Sequence, residues 1–427
     1  MDNLTNVSKN DQLRALILST VAFTVCFAIW TVFSIIGIKI KQNLGLNDTE
    51  FGILVAMPIL TGSISRVFLG IWSDRFGGRL IFTLVMLASA GSTWLLVDVH
   101  TYGFYLLAAL GIGLAGGSFA TGIAYVSRWY PAEEQGTVLG IFGAGNIGAA
   151  VTHFAAPLLL VVFGWQGVAR VYAVALLIMA IIFWFFTKDD PSLAHRRKSK
   201  QKLPTLAEQL APLKHMQVWR FSFYYAFSFG AFVALALWLP RYYVSVYKLS
   251  IPVAGLLTAF AYTLPGSVFR ALGGYLSDKM GARRIMYFMF IVSAICTFLL
   301  AYPPTDYVVH GIRGSFSFSL AMGLAPFSIL MFILGFVMSF GKAAVYKHIP
   351  VYYPDHVGSV GGVVGLIGGL GGFILPIVFG VMDDLTGLWT SCFMLLFLLS
   401  IVSLTWMHFA ILGMEEKAAE DDDVVAR

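Results

Sequence analysis

Long apolar stretches separated by short polar segments run through the whole chain. The stretches are about 20 residues long, which is the length a helix needs to cross the hydrocarbon core of a bilayer. Strands of a membrane barrel would be about ten residues long and would alternate in polarity, so the pattern favours helices. We predict twelve spans, at Ala15–Ile38, Phe51–Trp72, Leu80–Val97, Phe104–Ser127, Val138–Phe163, Ala169–Phe186, Phe221–Tyr242, Val253–Leu276, Ile285–Ala301, Phe327–Ile349, Val360–Met382 and Trp389–Leu412.

The composition agrees with a bilayer as the main solvent. Of all residues, 58% are hydrophobic and 12% are charged, and the mean hydropathy is +0.81. A soluble domain has about 25% charged residues, so a polar surface cannot be built from this chain. The three cysteines lie in apolar stretches without a CxxC spacing, which favours core packing over a metal site or a disulfide. We expect no cleavable signal peptide, because the first span is too long.

The basic residues set the orientation. If both termini are cytoplasmic, most Lys and Arg residues of the connecting segments fall on the inner side, as the positive-inside rule requires. The net charge of +6 therefore belongs to loops, and we expect no nucleic-acid partner. The spans form two six-helix bundles, 1–187 and 221–413, joined by a cytoplasmic linker, 188–220. The acidic tail, 414–427, is expected to be a disordered end.

A ten-residue motif occurs once in each half. Residues 70–79 and 274–283 both read G-x-x-x-D-[RK]-x-G-x-R, at an offset of 204 residues. This pair resembles the signature loop of the major facilitator superfamily, which implies two pseudo-symmetric six-helix bundles in an all-α membrane protein. Asp74 is expected to cap a helix or to pair with Arg75 or Arg79, and the glycines allow a tight turn. We assign a gating role to the charged motif residues Asp74, Arg75, Arg79, Asp278, Lys279 and Arg283.

Two arginines lie inside the spans at equivalent positions. Arg66 and Arg270 are separated by the same 204 residues as the motifs, so pseudo-symmetry places them opposite each other. A charge at the bilayer centre costs about 3 kcal/mol, and no deep acidic residue is available to neutralise it. Facing guanidinium groups form an anion site, and their planar fork suits a planar oxyanion. The alternative is a structural ion pair or a side chain that reaches the membrane interface.

Two lysines and one histidine in the spans leave more than one interpretation open. Lys342 and Lys347 lie on the tenth span about 140° apart around the helix, so both cannot face one pathway. Either is a candidate for proton coupling. His153 in the fifth span is interpreted as a polar contact between helices.

Two spans are rich in glycine. The stretches are 140–148 in the fifth span and 361–372 in the eleventh. Close helix packing explains most of these glycines, while bare backbone can also touch a small ligand. Asn146 adds an amide donor within the first stretch. A soluble phosphate-binding loop is excluded, because no Lys-Ser/Thr follows.

Together these features resemble the nitrate/nitrite porter family. The resemblance is carried by the two glycine-rich stretches, the two arginines, and the segments 116–120 and 346–350. It implies that Arg66 and Arg270 clamp nitrate, that Phe119 and Phe229 sandwich the anion, that Tyr225 is a hydrogen-bonding tyrosine, and that Asn146 is the asparagine of the first signature. Gly145 and Gly369, from the glycine-rich stretches, are the candidates for backbone contact with the ligand. The residues Ser118 and Lys347 are features that resemble the proton-symporter branch of this family.

We therefore predict a transporter that takes up nitrate with protons by rocker-switch alternating access. A lysine is the physical candidate for the proton, because burial near arginines favours its release. The expected partners are nitrate, with nitrite as a second candidate, protons and the lipid bilayer; we expect a monomer without a cofactor. The alternatives are a nitrate/nitrite antiporter, a transporter of another small anion such as formate or oxalate, and a membrane sensor with a transporter-like fold. An enzyme is not indicated, because no catalytic constellation occurs.

Overall fold

The computed structural model describes residues 8–191, 193, 205–353 and 357–425. Within this part of the chain, eleven helices are long and apolar enough to cross a membrane. The longest of them, Val138–Phe186, changes direction at Gly164, where φ is 66° and ψ is 177°. It is therefore two spans, and the total is twelve, as predicted. We number them α1 (Lys9–Leu44), α2 (Asp48–Phe76), α3 (Gly78–Asp98), α4 (Tyr102–Trp129), α5 (138–163), α6 (165–186), α7 (Met216–Val246), α8 (Ile251–Met280), α9 (Ala282–Leu300), α10 (Leu324–Ile349), α11 (Val360–Thr386) and α12 (Ser391–Glu416).

Most helices are longer than their apolar stretches, because polar residues extend them beyond the apolar core. At the start of α2, the Asn47 side chain accepts a bond from the Glu50 amide, and the Glu50 side chain accepts one from the Asn47 amide. This reciprocal capping satisfies two backbone donors that a helix start otherwise leaves unpaired. The helix therefore begins three residues before the predicted Phe51.

The repeated motif forms the same turn in both halves. Gly77 ends α2 with a φ of 99°, and Gly281 ends α8 with a φ of 90°. Side chains other than glycine rarely adopt these values, so the motif needs glycine there. The predicted tight turns are confirmed. Both turns lie on the face that carries the two termini, which we call the terminal face; the opposite face is the distal face.

Three segments differ from expectation. A hairpin on the distal face, β1 (Thr305–Gly311) paired antiparallel with β2 (Gly314–Leu320), had not been predicted. The linker contains a short helix, Leu206–Leu210, while residues 194–204 lie outside the described part of the chain. The acidic tail continues the helix of α12 to Val425, so the prediction of a disordered end was wrong.

Several of the described spans depart from α-helical geometry in their interior. α1 is broken by a turn at Thr31 and Val32. α4 and α5 contain 3₁₀ turns, and α7 and α8 contain π-helical turns, at Leu114–Gly117, Ala144–Ile147, Ala226–Ala231 and Ala259–Thr263. Such interruptions inside helices often mark functional sites. The turns in α4, α5 and α7 contain predicted site residues or lie within two residues of one, so irregular backbone and the candidate site coincide there. The π-helical turn of α8 ends seven residues before Arg270.

Candidate functional site

Arg66 lies at the contact between the two halves. Its side chain extends from α2 and the residue is only 8% exposed. The guanidinium donates from Nε to the Gly116 carbonyl, at 3.4 Å, and from Nη1 to the Gly365 carbonyl of α11, at 3.3 Å. These bonds are longer than the usual value of about 2.9 Å, so stronger acceptors could replace the carbonyl oxygens.

Aromatic rings surround the same guanidinium. Its Cζ lies 5.7 Å from the ring centre of Trp30 and 5.6 Å from the centres of Phe119 and Phe229. Ring faces stabilise a cation by their quadrupole without neutralising it. Trp30 is itself fixed, because its indole donates to the Pro58 carbonyl at 2.7 Å. Among the described residues no carboxylate pairs with Arg66, so its positive charge is available to an anion.

Arg270 approaches this position from the other half. It begins the last segment of α8, directly after Phe269, where the helix is interrupted. Arg66 and Arg270 lie within electrostatic range of each other, and Tyr346 of α10 lies within range of both. The structure therefore brings the two predicted arginines together, as the 204-residue offset suggested.

Two tyrosines complete the wall of the site on the C-terminal half. The rings of Tyr225 and Phe229 stack at 5.1 Å, and the Tyr225 ring meets that of Tyr346 edge-on at 4.9 Å. The Tyr346 hydroxyl donates to the Gly361 carbonyl at 3.1 Å. The segment 346–350 contributes to the family resemblance, but the sequence alone does not assign Tyr346 to the site. Its position one helical turn after Lys342 was the signal available.

The two predicted glycines have different neighbours. A Cβ atom at Gly369 would collide with the Ser63 hydroxyl and would lie 3.7 Å from Arg66 Nη1. A Cβ atom at Gly145 would instead collide with the ring of Phe23. Gly369 thus borders the guanidinium, whereas Gly145 allows α5 to pack on α1.

Asn146 lies at the contact between α5 and α8. It is buried, and its backbone carbonyl accepts a bond from the Ser267 hydroxyl at 3.5 Å. Ser267 precedes Arg270 by three residues, so Asn146 is placed beside the helix that carries the second arginine. The structure gives no bond from the Asn146 amide to either arginine.

The two lysines of α10 have different surroundings. Lys342 is fully buried, donates to the Gly266 carbonyl at 2.8 Å, and places Nζ 3.1 Å from the ring centre of Phe232. It also lies within electrostatic range of Arg270. The side chain of Lys347 is 48% exposed and forms an ion pair with Asp278 of the second motif. Lys342 is therefore the lysine next to the arginine pair.

His153 bridges three helices. Its Nε2 lies 3.1 Å from the Ser34 hydroxyl of α1, and its Nδ1 lies 3.4 Å from the Thr263 hydroxyl of α8. The ring is fully buried. The interpretation as a polar interhelical contact is confirmed.

The motif residues in the first half lie near the terminal face. Asp74 pairs with Arg128 of α4, a residue that the motif does not contain. Arg79 lies on the ring of Trp184 and donates to the carbonyl of the same residue. Arg75 stacks on the neighbouring Phe76 ring, with its Cζ 5.2 Å from the ring centre.

The second motif is similar in character. Asp278 holds Lys347, Arg283 donates to the Tyr352 hydroxyl at 3.0 Å and lies near Glu415, and Lys279 is exposed. These contacts stay within the C-terminal half. The corresponding bonds of Asp74 and Arg79 stay within the N-terminal half.

The comparison with known families decides the class of the protein. Residues 18–329 match the family model described as Major Facilitator Superfamily. The chain belongs to the major facilitator superfamily. It is a multi-pass membrane transporter rather than an enzyme. A solved bacterial homologue of the human lysosomal transporter Spinster, in an inward-facing and occupied conformation, has the same fold: the TM-score is 0.71, at 15% identity, over 95% of this chain and 97% of that one.

Proteins that are similar in sequence carry more specific names than the family model. A Thermus thermophilus protein named "Probable nitrate/nitrite antiporter NarK1" is 43% identical, over 96% of this chain and 94% of its own length. A Bacillus subtilis protein named "Nitrite extrusion protein" is 31% identical, over 94% and 95%. A Staphylococcus epidermidis protein named "Probable nitrate transporter NarT" is 27% identical, over 94% and 97%. The resemblance to the nitrate/nitrite porter family is thereby confirmed.

Proposed function

We propose that this superfamily member carries nitrate across the membrane and that nitrate binds between Arg66 and Arg270. The observation that carries the proposal is the Arg66 guanidinium, which is buried among aromatic rings at the contact between the halves and has no carboxylate partner among the described residues. A planar oxyanion can lie between the Phe119 and Phe229 rings while its oxygens accept bonds from guanidinium donors. The names of the relatives support nitrate over formate or oxalate.

The same geometry supports alternating access. Two arginines from opposite halves repel each other, and a bound anion offsets that repulsion. A ligand shifts a conformational equilibrium only by its differential affinity for the two states. Nitrate that contacts both arginines has such a difference, because it can touch both only when the halves are close together.

We further propose that transport is coupled to protons through Lys342. Its buried amine lies within electrostatic range of Arg270, so its protonation state changes the charge that nitrate meets. Proton binding and anion binding are then linked reciprocally. Lys347 is the weaker candidate, because Asp278 compensates its charge and water reaches its side chain.

Exchange of nitrate for nitrite is the second candidate. It uses the same arginine pair and needs no titratable lysine. The observation that favours it is the name of the Thermus relative, a probable nitrate/nitrite antiporter.

We propose that the protein is a monomer and that both of its termini lie in the cytoplasm. Lys and Arg residues near the terminal face, including those of both motifs, outnumber those near the distal face, which the positive-inside rule assigns to the cytoplasmic side. Labelling of single cysteines placed at Gln42 and Met414 in intact cells would test the orientation. Only the first should react with an impermeant reagent.

Reconstituted vesicles separate the two coupling modes. Nitrate uptake would be measured with an imposed pH gradient, acidic outside, and separately with nitrite inside and no gradient. We expect gradient-driven accumulation by the wild type and by Lys347→Gln. Lys342→Gln should lose accumulation and keep passive nitrate exchange, because the anion site remains.

Two results would change this assignment. If Lys342→Gln still accumulates nitrate in response to the gradient, Lys342 is not the coupling residue. If the wild type ignores the gradient and exchanges nitrate for internal nitrite, the protein is an antiporter.

A further inference from the structure

A cluster of charged side chains joins the two halves at the distal face. We call it the distal gate. It combines the ends of α1 and α2 from the N-terminal half with α7 and α11 from the C-terminal half. Its members are Lys41, Asp48, Arg241, Asp383 and Asp384.

Two of its carboxylates hold the gate closed. The Asp384 carboxylate of α11 accepts bonds from the backbone amides of Asp48, at 3.0 Å, and Thr49, at 2.7 Å. It therefore caps the first turn of α2 from the opposite half, where a negative charge is favoured. The Asp48 carboxylate pairs with Lys41, at 2.8 Å, and with Arg241 across the interface. Opening of the distal face must break the Asp384 bonds and the Asp48–Arg241 pair, which cross between the halves, whereas the Lys41–Asp48 pair lies within the N-terminal half.

The third carboxylate has a different environment. Asp383 is only 6% exposed, and its carboxyl group lies within hydrogen-bonding range of the Asp48 carboxyl group. Among the described residues no donor reaches its Oδ2 atom. Two ionised carboxylates are acceptors only, so a hydrogen bond between them requires one proton. That proton would also give the buried oxygen a partner, and leaving such an atom unpaired is costly.

The charge of the cluster leads to the same conclusion. Two cations face three carboxylates, so the fully ionised gate carries one excess negative charge, which a single proton removes. Among the described residues, the further ionisable groups within range of Asp383 are Tyr242 and Cys392, and neither supplies a positive charge. Arg241 already lies within electrostatic range of Asp383, and it could bond that carboxylate directly by turning its Nη1, a buried donor with no partner among the described residues.

We propose that Asp48 and Asp383 together bind one proton, and that they hold it only while the distal gate is closed. Separation of the halves moves Asp48 away from Asp383 and admits water, which removes the reason for sharing a proton. Acidification at the distal face then stabilises the closed gate. The inference rests on the rocker-switch part of the proposed function and holds for symport and for exchange.

The test measures the gate directly. Gln42 and Leu385 are both exposed and lie on opposite sides of the gate. Spin labels at these two positions report the width of the gate by pulsed electron–electron double resonance. The labelled protein has its three buried cysteines replaced. For one linked proton, the logarithm of the closed-to-open ratio changes by about one per pH unit at most. We expect the wild type to close as the pH falls, with a slope approaching this limit.

Three variants make the result decisive. Asp383→Asn mimics the protonated carboxyl and should be closed at all pH values. Asp48→Asn loses both cation contacts and should be more open throughout. Asp306→Asn, in the distal hairpin, should retain the wild-type pH response. The proposal would be overturned if Asp383→Asn showed the same pH slope as the wild type. It would also be overturned if the wild-type gate stayed closed at every pH, which would indicate that an ionised Asp383 pairs with Arg241.

A second measurement remains informative if Asp383→Asn does not fold. Difference infrared spectra of the wild type between acidic and alkaline pH should contain the carbonyl stretch of a protonated carboxyl group, and Asp48→Asn should lack it. An unchanged band in Asp48→Asn would contradict the pair. Nitrate binding by Asp383→Asn is measured in parallel at acidic pH, where the wild-type gate is also closed, and should there equal that of the wild type, because Asp383 does not touch the arginine pair. Failure of the gate proposal is therefore distinct from failure of the nitrate site.

Discussion

Replacement of Arg66 by lysine is the sharpest test of the anion site. The substitution keeps one positive charge at the same place in α2. It removes the planar fork of donors, so a single ammonium group must replace the Nε and Nη1 atoms that reach towards α4 and α11. The fold should survive, because the carbonyl bonds of Arg66 are long and its ring contacts are shared with a hydrocarbon stem.

The expected loss follows from the bonds involved. A hydrogen bond between charged groups contributes about 1.5–3 kcal/mol, and one of the two bonds of a fork is lost. The contact of the cation with the flanking rings is weakened by a further ~0.5–1 kcal/mol. Together the change is about 2–4 kcal/mol, which corresponds to a roughly 30- to 1,000-fold weaker affinity for nitrate.

Isothermal titration of nitrate into the purified protein measures this directly. Arg313→Lys is the matched control, since Arg313 lies in the exposed turn of the distal hairpin and should bind nitrate like the wild type. Arg270→Lys should show a loss similar to that of Arg66→Lys. An affinity within about threefold of the wild type for Arg66→Lys would remove this residue from the site.

Two further substitutions test packing and backbone geometry. Gly369→Leu should abolish nitrate uptake in reconstituted vesicles, because the leucine side chain would enter the space of Ser63 and Arg66. Gly91→Leu is the control and should transport normally, because a Cβ atom there has no neighbour within 4 Å. Full uptake by Gly369→Leu would show that transport does not need the space beside Arg66. Gly281→Ala should lower the free energy of unfolding by about 1–2 kcal/mol, because φ is 90° there, and Gly274→Ala, at an ordinary φ, should not; equal melting temperatures in detergent would refute this.

The spans and the arginine pair were predictable because their physical causes are local. A span needs only a long apolar stretch, and an unpaired arginine inside it needs a function to justify its cost. The internal repeat then predicts that Arg66 and Arg270 lie opposite each other. The turn glycines followed from the same repeat.

Other features depend on how helices are rotated against each other. The sequence does not distinguish Lys342 from Lys347 as the candidate for proton coupling. Only the fold shows that Lys342 is buried near Arg270, whereas Lys347 pairs with Asp278. The sequence does not single out Asp383, because an acid near the end of a span normally faces water. It is buried here, and Asp48 of α2 and Arg241 of α7 lie within electrostatic range of it.

The distal gate and the anion site are built on the same two helices, so neither can change alone. α2 carries Asp48 at the gate and Arg66 at the site, 18 residues or about 27 Å further along the helix. α11 carries Asp383 at the gate and, 14 residues earlier, Gly369 beside Arg66. The two helices touch along this length at positions that accept no side chain, since a Cβ at Gly52 would collide with the backbone of Pro376. A seam packed so closely must separate as a unit, because closely packed interfaces switch between discrete arrangements rather than deform gradually. Anion binding at Arg66 and proton binding at Asp383 therefore act on one and the same equilibrium.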